Sequence, residues 1–314
     1  MINTPKVSIL IRNLNEEMKL KILFPILNDQ TYKNFEVIFL DSGSTDNSLE
    51  FVKNYNSKFE IITDEIDKEL FSFGRALNIC ANLSNKPDYM ISLSAHCFPI
   101  SKDFILNYVN IFENNNCDIV FGKQIGYKDS MLSEASHLSR WFDGKYGVKK
   151  NNPFTNNGNC GYRFKIWEKY QFDENLTGCE DIEFACRALE DGAVLFYGDQ
   201  ITVQHFHTED FKTIYFRYFR EALALNSIFS FKFSILNFIA NFFKEVLSDI
   251  SFKFKNKNYA FRGIISILRY RFSKNLGHFN GFKDYEYFSK EKFYYYSNLQ
   301  NPKFKNKLYK KYFS

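Results

Sequence analysis

Two carboxylates stand side by side in Gly178-Cys179-Glu180-Asp181-Ile182-Glu183-Phe184, at the head of a helical stripe of Phe184, Ala185, Ala188 and Leu189. Acids in a first helical turn are favoured by the helix dipole, so this run reads either as a plain helix start or as a pair held for proton transfer. A second polar cluster, Asp41-Ser42-Gly43-Ser44-Thr45-Asp46, abruptly ends the apolar run Phe35–Leu40. A carboxylate there can accept hydrogen bonds from a base N–H or a ribose hydroxyl, and Gly43 lets a ligand approach the backbone. The same six residues also suit an Asx-turn in which Thr45 or Asp46 caps the next helix. Arg75 and Asn78 follow Phe71-Ser72-Phe73-Gly74 near a predicted helix start. Donors in that position can face a diphosphate, and arginine matches phosphate oxygens in bidentate fashion. The bland alternative is a surface arginine and a packing asparagine. Ser94-Ala95-His96 supplies a hydroxyl and an imidazole, and His205-Phe206-His207 places two imidazoles on one face of a strand.

These residues need a scaffold, and the chain up to about residue 206 supplies alternating strand and helix patterns. Val7–Ile11 is apolar apart from Ser8, and Phe35–Leu40 is continuously apolar, as strands buried on both faces should be. Phe59–Thr63 and Tyr89–Leu93 are two further strands, and helices are predicted over 16–28, 47–55 and 74–84. Strands and helices alternating at this spacing argue for right-handed β-α-β units and a mainly parallel sheet. Ligands of such sheets bind outside the carboxyl ends of the strands, where both Asp41–Asp46 and Ser94–His96 fall.

The run VSILIRNLNEE, then DSGSTDNS, FGRALN, LSAHCFP and GCEDIEFACR, resembles a family 2 glycosyltransferase in the order and spacing of five motifs across roughly residues 5–207. The resemblance implies an α/β class protein of GT-A fold, a nucleotide-sugar-binding domain with a mainly parallel central sheet. It also implies that Asp41 binds the nucleotide of the sugar donor, with Asn13, Asn15, Glu16 and Gly43 in the same pocket and Arg75, Asn78, Ser94 and His96 around the donor. Asn156-Asn157-Gly158-Asn159-Cys160 corresponds to a loop at the donor–acceptor junction, with Asn157, Gly158 and Asn159 lining it. Asp181 matches the family's general base, with Glu180 orienting the acceptor or holding Asp181, and Arg187 pairing structurally with a carboxylate. One departure stands out. Most relatives have Asp-x-Asp, whose carboxylates hold a divalent metal, where this chain has Ser94-Ala95-His96. Hard Mg²⁺ prefers carboxylate oxygen, whereas imidazole suits Mn²⁺ or softer ions, so a Mn or Mg cofactor is in doubt. Either His96 with His207 ligates a metal, or protonated His96 and nearby arginines neutralise the leaving diphosphate.

The chain has 314 residues, 45% hydrophobic and 19% aromatic. A mean hydropathy of −0.35 excludes a polytopic membrane protein. Six cysteines lie far apart with no C-x-x-C pair, and residues 1–10 lack a secretory pattern, so a cytoplasmic setting is expected. Charge divides the chain: residues 211–314 carry 20 Lys/Arg against 6 Asp/Glu, the first 210 carry 21 against 30. The tail also holds 30 of the 59 aromatics. We expect a catalytic domain over 1–210 and a basic, aromatic helical extension over 211–314, with 290–314 partly disordered. Uncharged runs in the tail are too short to span a bilayer, so amphipathic helices lying on an anionic membrane surface are expected, at the inner face of the cell membrane. Ordinary core helices are the alternative. No nucleic-acid module is visible. The function expected is inverting transfer of a sugar from a nucleotide-diphosphate donor to a saccharide, or lipid-linked saccharide, in surface-polysaccharide assembly (capsule or O-antigen). The alternatives are an inactive nucleotide-sugar-binding protein or an anionic-surface binder on the same fold.

Overall fold

The computed structural model describes residues 4–149, 152–229, 233–256, 259 and 263–284. In chain order the elements are β1 (Val7–Asn13), α1 (Glu17–Asn28), β2 (Phe35–Asp41), α2 (Ser48–Lys53), β3 (Glu60–Glu65), α3 (Phe73–Leu83) and β4 (Tyr89–Leu93). Next come β5 (Cys97–Pro99), α4 (Phe104–Asn115), β6 (Ile119–Gly126), α5 (Leu132–Trp141), β7 (Gly147–Lys149), β8 (Asn159–Arg163) and α6 (Phe164–Tyr170). The remainder are α7 (Glu180–Glu190), β9 (Leu195–His205), α8 (Phe211–Phe229), α9 (Ile235–Lys255) and α10 (Ile264–Asp284).

The sheet order is β3-β2-β1-β4-β8-β6-β9-β5, with β7 attached to β9. The expected parallel arrangement holds from β3 through β4. Beyond β4 the sheet is mixed, because β8 runs antiparallel to both β4 and β6. That reversal brings the start of β8 to the carboxyl end of β4, with Asn159 opposite Leu93. β1 has β2 on one side and β4 on the other, so the chain changes direction of growth there and a crevice opens at the strand ends.

Alternation along the inner strands splits the core between the two faces. Val7, Ile9, Ile11, Val37 and Phe39 pack on one side with α1 and α4, and Leu10, Ile38 and Leu40 on the other with α3 and α7. Complete burial of β2 explains why its sequence is an unbroken apolar run.

Helix α8 begins at the change of composition, yet it is a core helix: Ile214, Tyr215, Phe219, Ala222 and Leu223 are buried. α10 lies against it so closely that a Cβ at Gly277 would meet the Tyr215 carbonyl oxygen at 2.4 Å. Fully buried Arg271 of α10 pairs with Asp249 of α9 at 2.5 Å and donates to the Ser133 carbonyl of α5 at 2.8 Å. Glu134 of α5 takes Arg217 of α8 at 3.0 Å and also accepts from the Tyr270 hydroxyl. Buried ionic links therefore fasten the C-terminal helices to the α/β body. α9 differs: Leu236, Phe243, Leu247 and Phe254 form an exposed apolar stripe at helical spacing. Among the described residues, no helix is long and apolar enough to cross a membrane. The disorder expected for 290–314 lies outside the described residues.

Candidate active site

The pairing of β1 with β2 sets Asn13 directly opposite Asp41 where the two strands end. Asn13 Nδ2 donates to Asp41 Oδ2 at 2.8 Å, and the Ser44 hydroxyl adds 2.6 Å to the same oxygen. Asp41 Oδ1 accepts the N–H groups of Gly43 at 2.9 Å and Ser44 at 2.7 Å. Both oxygens of this buried carboxylate are thus filled by its own loop. Asp41 forms the Asx-turn that the sequence left open, and its work here is to shape the crevice wall. Gly43 takes φ +81°, a conformation that favours glycine. Asn15, also left-handed at φ 55°, accepts the Thr45 N–H at 2.7 Å and so binds the first loop to the second. Asp46 accepts from the N–H of Ser48 and of Glu17, serving two helix starts, while Asn47 occupies the N-cap position itself.

Three candidates are engaged elsewhere. Asn78 is buried and clamps two neighbouring segments together. Its amide donates to the Phe172 carbonyl at 2.9 Å, and its oxygen accepts Trp167 Nε1 and the Phe172 N–H, each at 3.0 Å. Arg75 pairs with Glu174 at 2.8 Å and donates to the Leu70 carbonyl. Asn159 is fully buried, accepting from the Tyr108 hydroxyl and donating to the Ile201 carbonyl, both at 2.7 Å. It packs the sheet.

The acid pair assembles around Asn157. The Asn157 N–H donates to Asp181 Oδ2 at 2.7 Å, and its side-chain amide donates to Glu180 Oε1 at 3.0 Å. Asn157 is itself fixed, since its carbonyl accepts from Ser92 and its side-chain oxygen from the Tyr162 hydroxyl. Gly158 continues the loop, accepting the Ser94 N–H at 3.2 Å. Burial and the neighbouring Glu180 charge push Asp181 up to about 7, against the pull of the Asn157 and Ile182 N–H groups and of Arg12. Arg12 donates to Glu180 at 3.2 Å and lies 5.0 Å over the Phe73 ring. Arg220 of α8 lies over the same ring at 4.3 Å. Arg187 pairs with Glu183 at 2.6 Å, a structural contact as expected.

Three histidines gather at the ends of β4, β5 and β9, because Cys97 pairs with His205 across the β5–β9 ladder. Ring centroids are 5.0 Å apart for His96 and His205, 4.8 Å for His96 and His207, and 4.2 Å for His205 and His207. His96 Nδ1 meets Glu16 Oε1 at 2.9 Å, and Lys19 holds the other Glu16 oxygen. Burial pulls Glu16 upward, but His96 and Lys19 outweigh it and the net shift is down. Burial, reinforced by cationic neighbours including Arg217, drives His205 and His207 well below the usual histidine range, so both are neutral. The nearby carboxylates are taken: Glu16 by Lys19, and Glu134 and Glu209 by Arg217. The donors here are imidazole nitrogens, which suits a nitrogen-preferring ion and not the oxygen-seeking Mg²⁺.

Sequence reasoning missed Arg12, Gln124 and Arg220. Arg12 and Gln124 are polar residues inside otherwise apolar strand patterns, which is a usable signal. Arg220 sits in the basic extension expected to face an anionic membrane surface, and only the packing of α8 brings it inward.

Residues 8–171 match Glycosyl transferase family 2. The chain is 24% identical over 226 residues to O-antigen chain rhamnosyltransferase RfbN of Salmonella typhimurium, covering 68% of this chain and 70% of that protein. It is 24% identical over 210 residues to O-antigen chain rhamnosyltransferase WbaN of Salmonella anatum, covering 62% and 64%. Among solved structures, mannosyltransferase PcManGT from Pyrobaculum calidifontis, in complex with GDP-Man and Mn²⁺, superposes with a TM-score of 0.58 at 13% identity, covering 96% and 88%. S. aureus TarS 1–349 gives 0.51 at 14% identity, covering 90% and 91%. Those structures share the GT-A fold with this chain. The family match ends before Glu180 and Asp181, so the acid pair rests on its own geometry.

Proposed function

Because the chain belongs to glycosyl transferase family 2, we propose that it is an inverting enzyme that moves a sugar from a nucleotide-diphosphate donor to a saccharide acceptor. The acceptor is lipid-linked and the product a surface polysaccharide such as an O-antigen, in keeping with the two Salmonella relatives. Reading the chain as an inactive binding protein finds no support among those relatives, which are named as transferases.

Asp181 carries the proposal. A carboxyl pushed up to about 7 is ionised for much of the time near neutrality and is also a competent proton acceptor. Its carboxylate takes the proton of the acceptor hydroxyl as that oxygen forms a bond to C1 of the sugar. The C1–O bond to the diphosphate breaks on the opposite face, and its electron pair leaves with the nucleotide. Glu180, charge-balanced by Arg12, keeps Asp181 basic and orients the acceptor. Asn13, Asn15, Asp41 and Gly43 form the nucleotide wall, with Glu16, Ser94 and His96 on the diphosphate side. Arg220 stands as a cation for the leaving diphosphate, and Asn157 and Gly158 form the donor–acceptor junction. A divalent ion, when bound, would supply charge neutralisation near His96, His205 and His207.

The division into a catalytic domain over 1–210 and a helical extension over 211–314 is part of the same proposal. The exposed stripe of α9 supports membrane-surface attachment on the cytoplasmic side, through an apolar face with Lys244 and Lys255 exposed beside it.

The test is a thermal-shift screen of nucleotide sugars followed by a transfer assay. One donor should raise the melting temperature, since a ligand that binds the native state stabilises it. Asp181→Asn should keep that shift and lose transfer. Transfer by Asp181→Asn at the wild-type rate would overturn the assignment.

A further inference from the structure

We propose that His96, His205 and His207 form a three-nitrogen site for a borderline transition ion, Zn²⁺ or Co²⁺, in preference to Mg²⁺. The three offer ligand atoms within 4.8 Å of one another. Around a tetrahedral ion with Zn–N of about 2.0–2.1 Å, the nitrogens sit about 3.4 Å apart, so modest ring rotations close the site.

The hydrogen bonds around the cluster aim the free nitrogens. Asn156 Oδ1 accepts the Gly158 N–H at 2.9 Å and Gln124 Nε2 at 2.8 Å. That fixes the Gln124 amide with its oxygen toward His205, where it meets Nδ1 at 2.7 Å. The His205 proton therefore sits on Nδ1, and the lone pair on Nε2. This Nε2 is buried and has no partner, on a residue only 7% exposed. An unpartnered buried nitrogen is costly unless a ligand takes its lone pair. His96 repeats the pattern: Nδ1 faces Glu16 at 2.9 Å, leaving Nε2. Imidazoles that ligate metals are usually oriented in this way, by an acceptor on the other ring nitrogen. His207 lies 3.8 Å from Glu134 and 3.9 Å from Glu209, too far for hydrogen bonds, so its ring is free to turn inward. The third neighbouring acid, Glu16, is already bound by Lys19. Nitrogen donors rank divalent ions as Mn²⁺ below Co²⁺ and give Mg²⁺ little affinity. Three ligands leave a fourth position for an oxygen of a bound diphosphate or water.

The experiment uses the metals alone on full-length, chelator-treated protein, by titration calorimetry and by the visible d–d absorption of Co²⁺. One equivalent of Zn²⁺ and of Co²⁺ should bind, at least a hundredfold tighter than Mg²⁺. His207→Ala and His205→Gln should each weaken Zn²⁺ at least tenfold, and Gln124→Ala should weaken it 10–100-fold as an orienting residue. Should His205→Gln fail to fold, His207→Ala decides, since that side chain is partly exposed. Unchanged Zn²⁺ affinity in His207→Ala, absence of Zn²⁺ and Co²⁺ binding, or tighter Mg²⁺ binding each overturns the proposal. No transfer is read, so failure here and failure of the transferase assignment are separable.

Discussion

Arg12 and Glu180 lie 168 positions apart in the chain and meet at 3.2 Å, where β1 leaves the sheet and α7 begins. The contact places one cation between the Phe73 ring and a buried pair of acids. Arg12→Gln leaves Glu180 buried without that cation, which should destabilise the fold by about 3 kcal/mol. It also removes a charge that holds Asp181 down, so the acid limb of the kcat profile should move to higher pH. Urea unfolding and a pH–rate series check the two effects; an unmoved limb would separate Arg12 from Asp181.

Asp181→Asn should lower kcat by about 10²–10⁴-fold with the donor Kd unchanged. In the wild type, kcat should fall as pH drops below about 7, where Asp181 takes up its proton. Linkage gives a second signature. The folded-state value lies above the ordinary 3.8, so the folded protein binds the extra proton and this group's contribution to stability declines as pH rises from about 4 to 7. Melting curves across that window should show wild type losing stability relative to Asp181→Asn as pH rises.

Asp41→Ala and Asn78→Ala should part company. Removing Asp41 frees the Gly43 and Ser44 N–H groups and slackens the loop, so nucleotide affinity should fall. Removing Asn78 strands Trp167 Nε1 and the Phe172 N–H, costing about 1–3 kcal/mol for each group left unpaired, with nucleotide affinity unchanged. Calorimetric donor titration beside melting curves distinguishes them, and a large affinity loss in Asn78→Ala would return Asn78 to the donor pocket.

Gly277→Ala forces a methyl against the Tyr215 carbonyl, with 2.4 Å available. Overpacking of this kind costs about 1–3 kcal/mol. A lower melting temperature is expected, and an unchanged one would mean that α10 shifts freely over α8.

Leu247→Glu with Phe254→Glu tests the α9 stripe. These side chains are 66% and 80% exposed, so the melting temperature should hold. Each large apolar side chain contributes about 1.5–3 kcal/mol when buried, so partition onto anionic liposomes should fall at least tenfold. Undiminished cosedimentation of the double variant would rule out this face as the attachment surface.

The parallel half of the fold was legible because β1, β2 and β4 are buried on both sides and show as apolar runs. β8 was less so: Asn159-Cys160-Gly161-Tyr162-Arg163 is short, partly polar and wholly buried over its first four residues, and nothing local reveals that it runs backwards. That Glu180 and Asp181 stand together at a helix start was legible, but the raised affinity of Asp181 for a proton comes from burial that only the assembled fold creates and from Glu180 beside it. The partners of Asn78 and Asn159 were not legible, for one reason. A sequence shows that a side chain is polar, not which neighbour will satisfy it, and both amides are consumed within the core. The tail was divided in the same way: α8 and α9 are similarly aromatic, yet packing buries the first and leaves a stripe of the second in solvent.

The backward run of β8 separates two parts of the cleft along the chain. The segment that carries Asn157 enters the cleft from a part of the polypeptide remote from the nucleotide wall, ahead of its strand and not behind it. A change of length upstream of that segment would therefore reshape the surroundings of Glu180 and Asp181 while leaving the Asn13–Asp41 register intact.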